Sequence, residues 1–180
     1  MNLTLANLIP GVVLIALGAP LALASRWASA SFIAFPRSRL ASWICFGVSA
    51  VWFLDNIWHL SSADHGDYHV LLFCAFATVT VLAMRWAPDF LAVRGLCGLV
   101  LLGAMPLLMA GYMNYNRPLI YFQKSLVYVC IALAIWLAAQ PWRLRDFLAW
   151  LFRRTVRSHA CGCLLVAYGM LLCGLALSYT

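Results

Sequence analysis

The sequence contains no glutamate, a single lysine (Lys124) and five aspartates, and only 9% of its 180 residues are charged. Soluble domains carry about 25% charged residues, so this scarcity excludes an ordinary globular domain. It also excludes a disordered chain, which needs high charge and low hydrophobicity. Long polar stretches are missing too, leaving no room for a separate soluble domain, and nothing in the chain points to nucleic acid. There is no CxxC, no CxxCH haem-attachment motif and no set of paired loop cysteines. The seven cysteines (Cys45, Cys74, Cys97, Cys130, Cys161, Cys163, Cys173) fall mostly inside apolar runs. They read as small buried hydrophobes, neither a disulfide scaffold nor a zinc site. Catalytic signatures are equally absent: no GxSxG, no HExxH, no glycine-rich phosphate loop and no pair of histidines in facing spans to hold a b-type haem.

What the chain has is apolar length: 66% of its residues are hydrophobic. A bilayer-spanning helix takes about 20 apolar residues, so six would use about two thirds of the sequence. Hydropathy windows place spans at 8–24, 41–60, 69–86, 91–112, 119–139 and 160–178, giving an all-α polytopic membrane helix bundle as a single integral domain over 1–180. Pro106 stands as the one mid-span proline.

The net charge of +7 has a sidedness. Arg26, Arg37 and Arg39 lie in the first connection, Arg85 and Arg94 in or beside the third, and Arg143, Arg145, Arg153, Arg154 and Arg157 in the fifth; only Arg117 and Lys124 flank the even ones. The positive-inside rule therefore predicts cytoplasmic odd connections and both termini outside, in a membrane of the bacterial inner type. Leu21-Ala22-Leu23-Ala24-Ser25 resembles a signal-peptidase site, but residues 1–7 carry no Lys or Arg, so the first span is expected to be retained.

Each cytoplasmic connection pairs a proline with a following arginine (Pro36-Arg37, Pro88 with Arg94, Pro141 with Arg143), and Asp89-Phe90-Leu91-Ala92 recurs as Asp146-Phe147-Leu148-Ala149. The proline and aspartate registers disagree, which weakens the case for an internal repeat. Between Trp142 and Arg157, Leu144, Phe147, Leu148, Leu151 and Phe152 recur at helical spacing. This predicts an in-plane amphipathic helix near 142–157, with Arg143, Arg145, Arg153, Arg154 and Arg157 available to lipid headgroups or serving as the anchor of the last span.

The polar residues concentrate in one place. Three of the five aspartates and three of the four histidines lie between Asp55 and His69. In a helix running to about Leu60, Asp55 and His59 are i, i+4 neighbours on one face. Asp55 follows the apolar run Val51-Trp52-Phe53-Leu54, and an ionisable group at membrane depth is a functional hypothesis by default. Three chemistries fit: a divalent metal such as Cu or Zn held by Asp55 and His59 with His65, Asp67 or His69; proton relay through imidazole; or an ion pair between Asp55 and Lys124, two turns into the fifth span. The competing reading is an ordinary polar hairpin over 61–67. Across from it, Tyr112, Tyr115 and Tyr121, with Trp52, Trp58 and Tyr68, suit an outer aromatic belt.

The Asp55-x3-His59 step with a later His69 resembles a fragment of the metal-site pattern in the C subunit of membrane copper monooxygenases. The resemblance covers those three residues, with a shorter gap from His59 to His69, and implies that such a constellation can hold copper. Three functions follow for testing. The first is a noncatalytic membrane subunit packed against other subunits, or against itself, in a structural or gating role. The second is a metal-dependent redox or hydrolytic membrane enzyme using Asp55, His59 and His69. The third is a small proton-coupled transporter switching Asp55 and Lys124.

Overall fold

A computed structural model describes residues 2–23, 26–61, 68–86, 89–112 and 119–178, the side chains of 26–28 excepted. Among the described residues the regular elements are eight α-helices and one 3-10 turn: α1 Leu3–Ala22, α2 Arg26–Ala34, the 3-10 turn Phe35–Arg37, α3 Arg39–Trp58, α4 His69–Trp86, α5 Leu91–Ala110, α6 Ile120–Ala139, α7 Trp142–Phe152 and α8 Thr155–Leu177. Six of them (α1, α3, α4, α5, α6 and α8) are long and apolar enough to cross a membrane, matching the six expected spans.

Several polar side chains along the helices donate to a backbone carbonyl one turn back, as an apolar solvent favours, whereas the buried oxygens Asn7 Oδ1 and Gln123 Oε1 have no hydrogen-bond partner among the described residues. Asn7 donates to the Leu3 carbonyl (2.9 Å), Ser42 to Ser38 (2.9 Å), Asn56 to Trp52 (2.8 Å), Thr78 to Cys74 (2.7 Å) and Thr80 to Phe76 (2.8 Å). At the start of α3, Ser38 caps the helix by accepting from the Ala41 N–H at 3.3 Å.

Chain contacts divide into two compact units. The first comprises residues 1–34, 103–133 and 145–180. Its framework is the antiparallel pair of α1 and α8, joined through glycines. A Cβ on Gly18 would lie 2.9 Å from the Gly162 carbonyl oxygen, one on Gly169 would lie 2.8 Å from the Gly11 carbonyl oxygen, and one on Gly162 would overlap the Ala22 backbone. Lipid tails are as apolar as leucine, so membrane helices associate through such close approach and not through hydrophobic transfer. Because α1 fills the glycine face of α8, it is an integral part of this unit. Tyr168 of α8 donates to the Phe122 carbonyl of α6 at 2.9 Å.

Fully buried Gln123 reaches from α6 to α5, its Nε2 donating to the Leu107 carbonyl at 2.8 Å. The reason is local. The Gly111 N–H bonds Leu108 instead of Leu107 as α5 tightens at its end, so the Leu107 carbonyl needs another donor.

The second unit comprises residues 35–102 and 134–144. Here α3 and α4 form an antiparallel hairpin through edge-on ring contacts, Phe53 to Phe76 (5.2 Å) and Trp58 to Phe73 (5.5 Å). α5 runs parallel to α3 at close range, since a Cβ on Gly95 would overlap the backbone of Cys45 and Phe46, and one on Gly98 the Ser49 hydroxyl. Val93, Cys97 and Ala134 form a buried cluster with Phe90, Leu137 and Leu144 against it. Phe90, in the turn just before α5, has a φ of 57°, a left-handed conformation costing roughly 1–2 kcal/mol in a side-chain-bearing residue. Its ring joins that cluster, and its carbonyl accepts from Val93 and Arg94.

Several local expectations change. α1 begins at Leu3 and contains Pro10 and Pro20, so Pro106 is not the one proline inside a span. The segment expected as one helix near 142–157 is divided: α7 stops at Phe152 and α8 starts at Thr155, placing Arg157 and His159 inside α8. α7 buries Leu148 and Leu151, whereas Phe147 is exposed and stacks on Trp150 (6.0 Å). Among the cysteines Cys97 is buried, Cys74 and Cys163 are exposed, and the rest are half-buried; all seven are free thiols.

Candidate functional site

Asp55 and His59 occupy the last turn of α3, and the helical spacing brings them together as expected. His59 ends the helix: its backbone N–H bonds the Asp55 carbonyl at 3.2 Å, and its ring Nδ1 lies 2.9 Å from the same oxygen. A carbonyl can only accept, so that contact selects the tautomer with hydrogen on Nδ1 and leaves Nε2 as the acceptor nitrogen. The Asp55 carboxylate oxygen Oδ1 stands 3.5 Å from Nδ1, longer than an ordinary hydrogen bond. Both side chains are open, 66% exposed for Asp55 and 71% for His59.

Of the remaining His and Asp residues of the polar segment, His69 is described. His69 opens α4 with its ring edge-on to Trp58 at 5.4 Å. His65 and Asp67 lie outside the described residues, as do Tyr115 and Arg117. Among the described residues no three His, Cys, Asp or Glu side chains converge to hold a metal ion. Lys124 belongs to the first unit, in α6 with its Cε beside Gly111, and Asp55 belongs to the second. Trp52, Trp58, Tyr68, Tyr112 and Tyr121 are all exposed, as rings at a membrane–water boundary would be.

The arginines expected at lipid headgroups are partly engaged within the protein. Arg145 makes a two-nitrogen contact with Asp146 (2.8 and 3.0 Å), Arg143 bonds Gln140 (3.0 Å) and lies over Trp136 (5.5 Å), and Arg157 lies over Trp150 (4.3 Å) while donating to its carbonyl (3.3 Å). Arg153 and Arg154 form the exposed turn between α7 and α8.

Two features escape the sequence reading. One is the exposed α3–α4 hairpin. None of the 18 residues of α4 is buried, and α3 exposes Trp43, Ile44, Val48 and Val51. The other is a cavity of about 630 Å³ at the opposite end of the same hairpin, lined by Arg37, Arg39, Ser42, Trp43, Val81, Met84, Arg85 and Leu91. In sequence these arginines carry only a topological signal, and their convergence depends on antiparallel packing of α3 and α4.

Comparison of the chain with known protein families, with curated proteins and with solved structures finds no match.

Proposed function

We propose that this chain is a noncatalytic, multi-pass subunit of a larger assembly in a bacterial-type inner membrane, with both termini outside, odd connections cytoplasmic and α7 in the plane of the cytoplasmic surface. The observation that carries the reading is the uncovered α3–α4 hairpin. A span with no buried residue draws little support from its own chain, and the hairpin ends in an exposed Asp55–His59 pair that prefers a protein or water partner to lipid. A neighbouring subunit meets both needs, and the role is structural or gating. The antiparallel pairing of α1 with α8 agrees with an even number of crossings.

Extraction from native membranes in a mild detergent, followed by native electrophoresis, tests this. The expected result is co-migration with at least one other integral membrane protein or with further copies of the chain. Migration as a lone 20.0 kDa monomer contradicts it.

The His59 geometry favours a second reading, a Cu- or Zn-dependent site. Metal-bound histidines commonly donate their other N–H to a backbone carbonyl, the arrangement His59 has with Asp55. Stoichiometric metal in the native protein, lost in Asp55→Ala, is its expected signature; equal metal content in both variants contradicts it.

A further inference from the structure

We infer that the cavity between the start of α3 and the end of α4 is a binding site for a phosphate ester carrying an apolar chain, the chemistry of an anionic phospholipid. Three exposed arginines, Arg37, Arg39 and Arg85, line one cavity of about 630 Å³. None of the three has a carboxylate or hydrogen-bond partner among the described residues, in contrast to Arg145, which is paired with Asp146. Like charges gathered without a counter-charge repel, and an anion entering among them relieves that repulsion. Guanidinium forks match phosphate oxygens in bidentate geometry, which makes arginine suited to this group.

The backbone adds to the same field. Arg39, which lines the cavity, is the first residue of α3 after the Ser38 cap, so the positive end of the helix dipole is at this end of the hairpin. The remaining wall is apolar: Trp43, Val81, Met84 and Leu91. A bare phosphate would leave most of this volume unused, since cavities of roughly 300–1,000 Å³ suit ligands of drug size. An ester with a glycerol or acyl portion fills both halves, its phosphate among the arginines and its chain along Trp43 and Val81 toward the exposed helix faces. Arginines that only anchor topology need no shared cavity and no apolar wall.

Binding to the purified full-length protein in a neutral detergent tests the assignment, with dioctanoyl phosphatidylglycerol as probe, dioctanoyl phosphatidylcholine as the neutral comparison and glycerol phosphate as the chain-free one. Saturable binding of the phosphatidylglycerol is expected, weakened about tenfold or more in the Arg37→Gln plus Arg85→Gln variant, since each bond to a charged group contributes enough for that loss. Arg153→Gln plus Arg154→Gln, outside the cavity, should change it by less than about threefold. If the glutamine pair fails to fold, Arg37→Lys plus Arg85→Lys keeps the charge but removes the fork and should show an intermediate loss. Glycerol phosphate binding as tightly, with the same sensitivity to the variants, supports the phosphate site with a soluble ester as its source. Phosphatidylglycerol bound no tighter than phosphatidylcholine, or weakened equally by the Arg153/Arg154 pair, overturns the proposal.

Discussion

A methyl group decides whether α1 and α8 can touch. At Gly162 a Cβ meets the Ala22 backbone, which cannot swing aside as a side chain would, whereas at Gly174 in the same helix nothing lies within 4 Å. Gly162→Ala should therefore destabilise the protein by about 1–3 kcal/mol, the usual cost of overpacking. Gly174→Ala should be neutral or stabilising by up to about 1 kcal/mol, because alanine is the better helix former. Unfolding midpoints in detergent micelles distinguish the two, and equal shifts would remove the glycine contact as the source of α1–α8 association. The contact glycines were visible in the sequence, but their period is seven residues (Gly11 to Gly18, Gly162 to Gly169) and not the four of the usual membrane motif, which the chain shows only sporadically. The Asp55–His59 contact was legible because helical spacing alone sets it. The orphaned Leu107 carbonyl that draws in Gln123 was not, since it arises from the way α5 tightens at its last turn.

Helices of this length are written in hydropathy, and the positions of α4 and α6 agree with the windows to within a residue. The ends that moved have local causes. α8 starts at Thr155 because Arg154 supplies an extended cap residue and the arginine-bearing turn that follows can still be helical. α2 carried no clear signal: nine residues with alternating Ala, Ser and aromatic groups lack both the length of a span and a distinct apolar face. Its Phe32 meets Phe152 of α7 at 6.2 Å, a contact between elements far apart in sequence. Burial was the part hydropathy could not convey, because a lipid-facing and a protein-facing leucine look alike in a membrane sequence. α4 illustrates the consequence. Val79 and Leu71 are exposed, so Val79→Ala and Leu71→Ala should alter the unfolding of the isolated protein by no more than about 0.5 kcal/mol. If α4 is a contact face, the same variants reduce recovery of the native assembly; a large loss of stability in the isolated chain would place these side chains in its own core instead.

For the whole molecule, the scarcity of charge is the organising feature. The positive residues set the expected orientation, while three of the five aspartates and three of the four histidines fall between Asp55 and His69 in sequence, so one hairpin carries an exposed apolar face, the Asp55–His59 pair at one end and an arginine-lined cavity at the other. A chain arranged in this way has its chemistry where another molecule can reach it. The most direct test is a photo-crosslinking residue in place of Val79, activated in native membranes, with Leu172 in the buried α8 face as the control position. The expected result is a discrete protein adduct from position 79 and none from position 172. Adducts to lipid alone at position 79 would contradict the subunit reading and leave the hairpin as a lipid-facing surface.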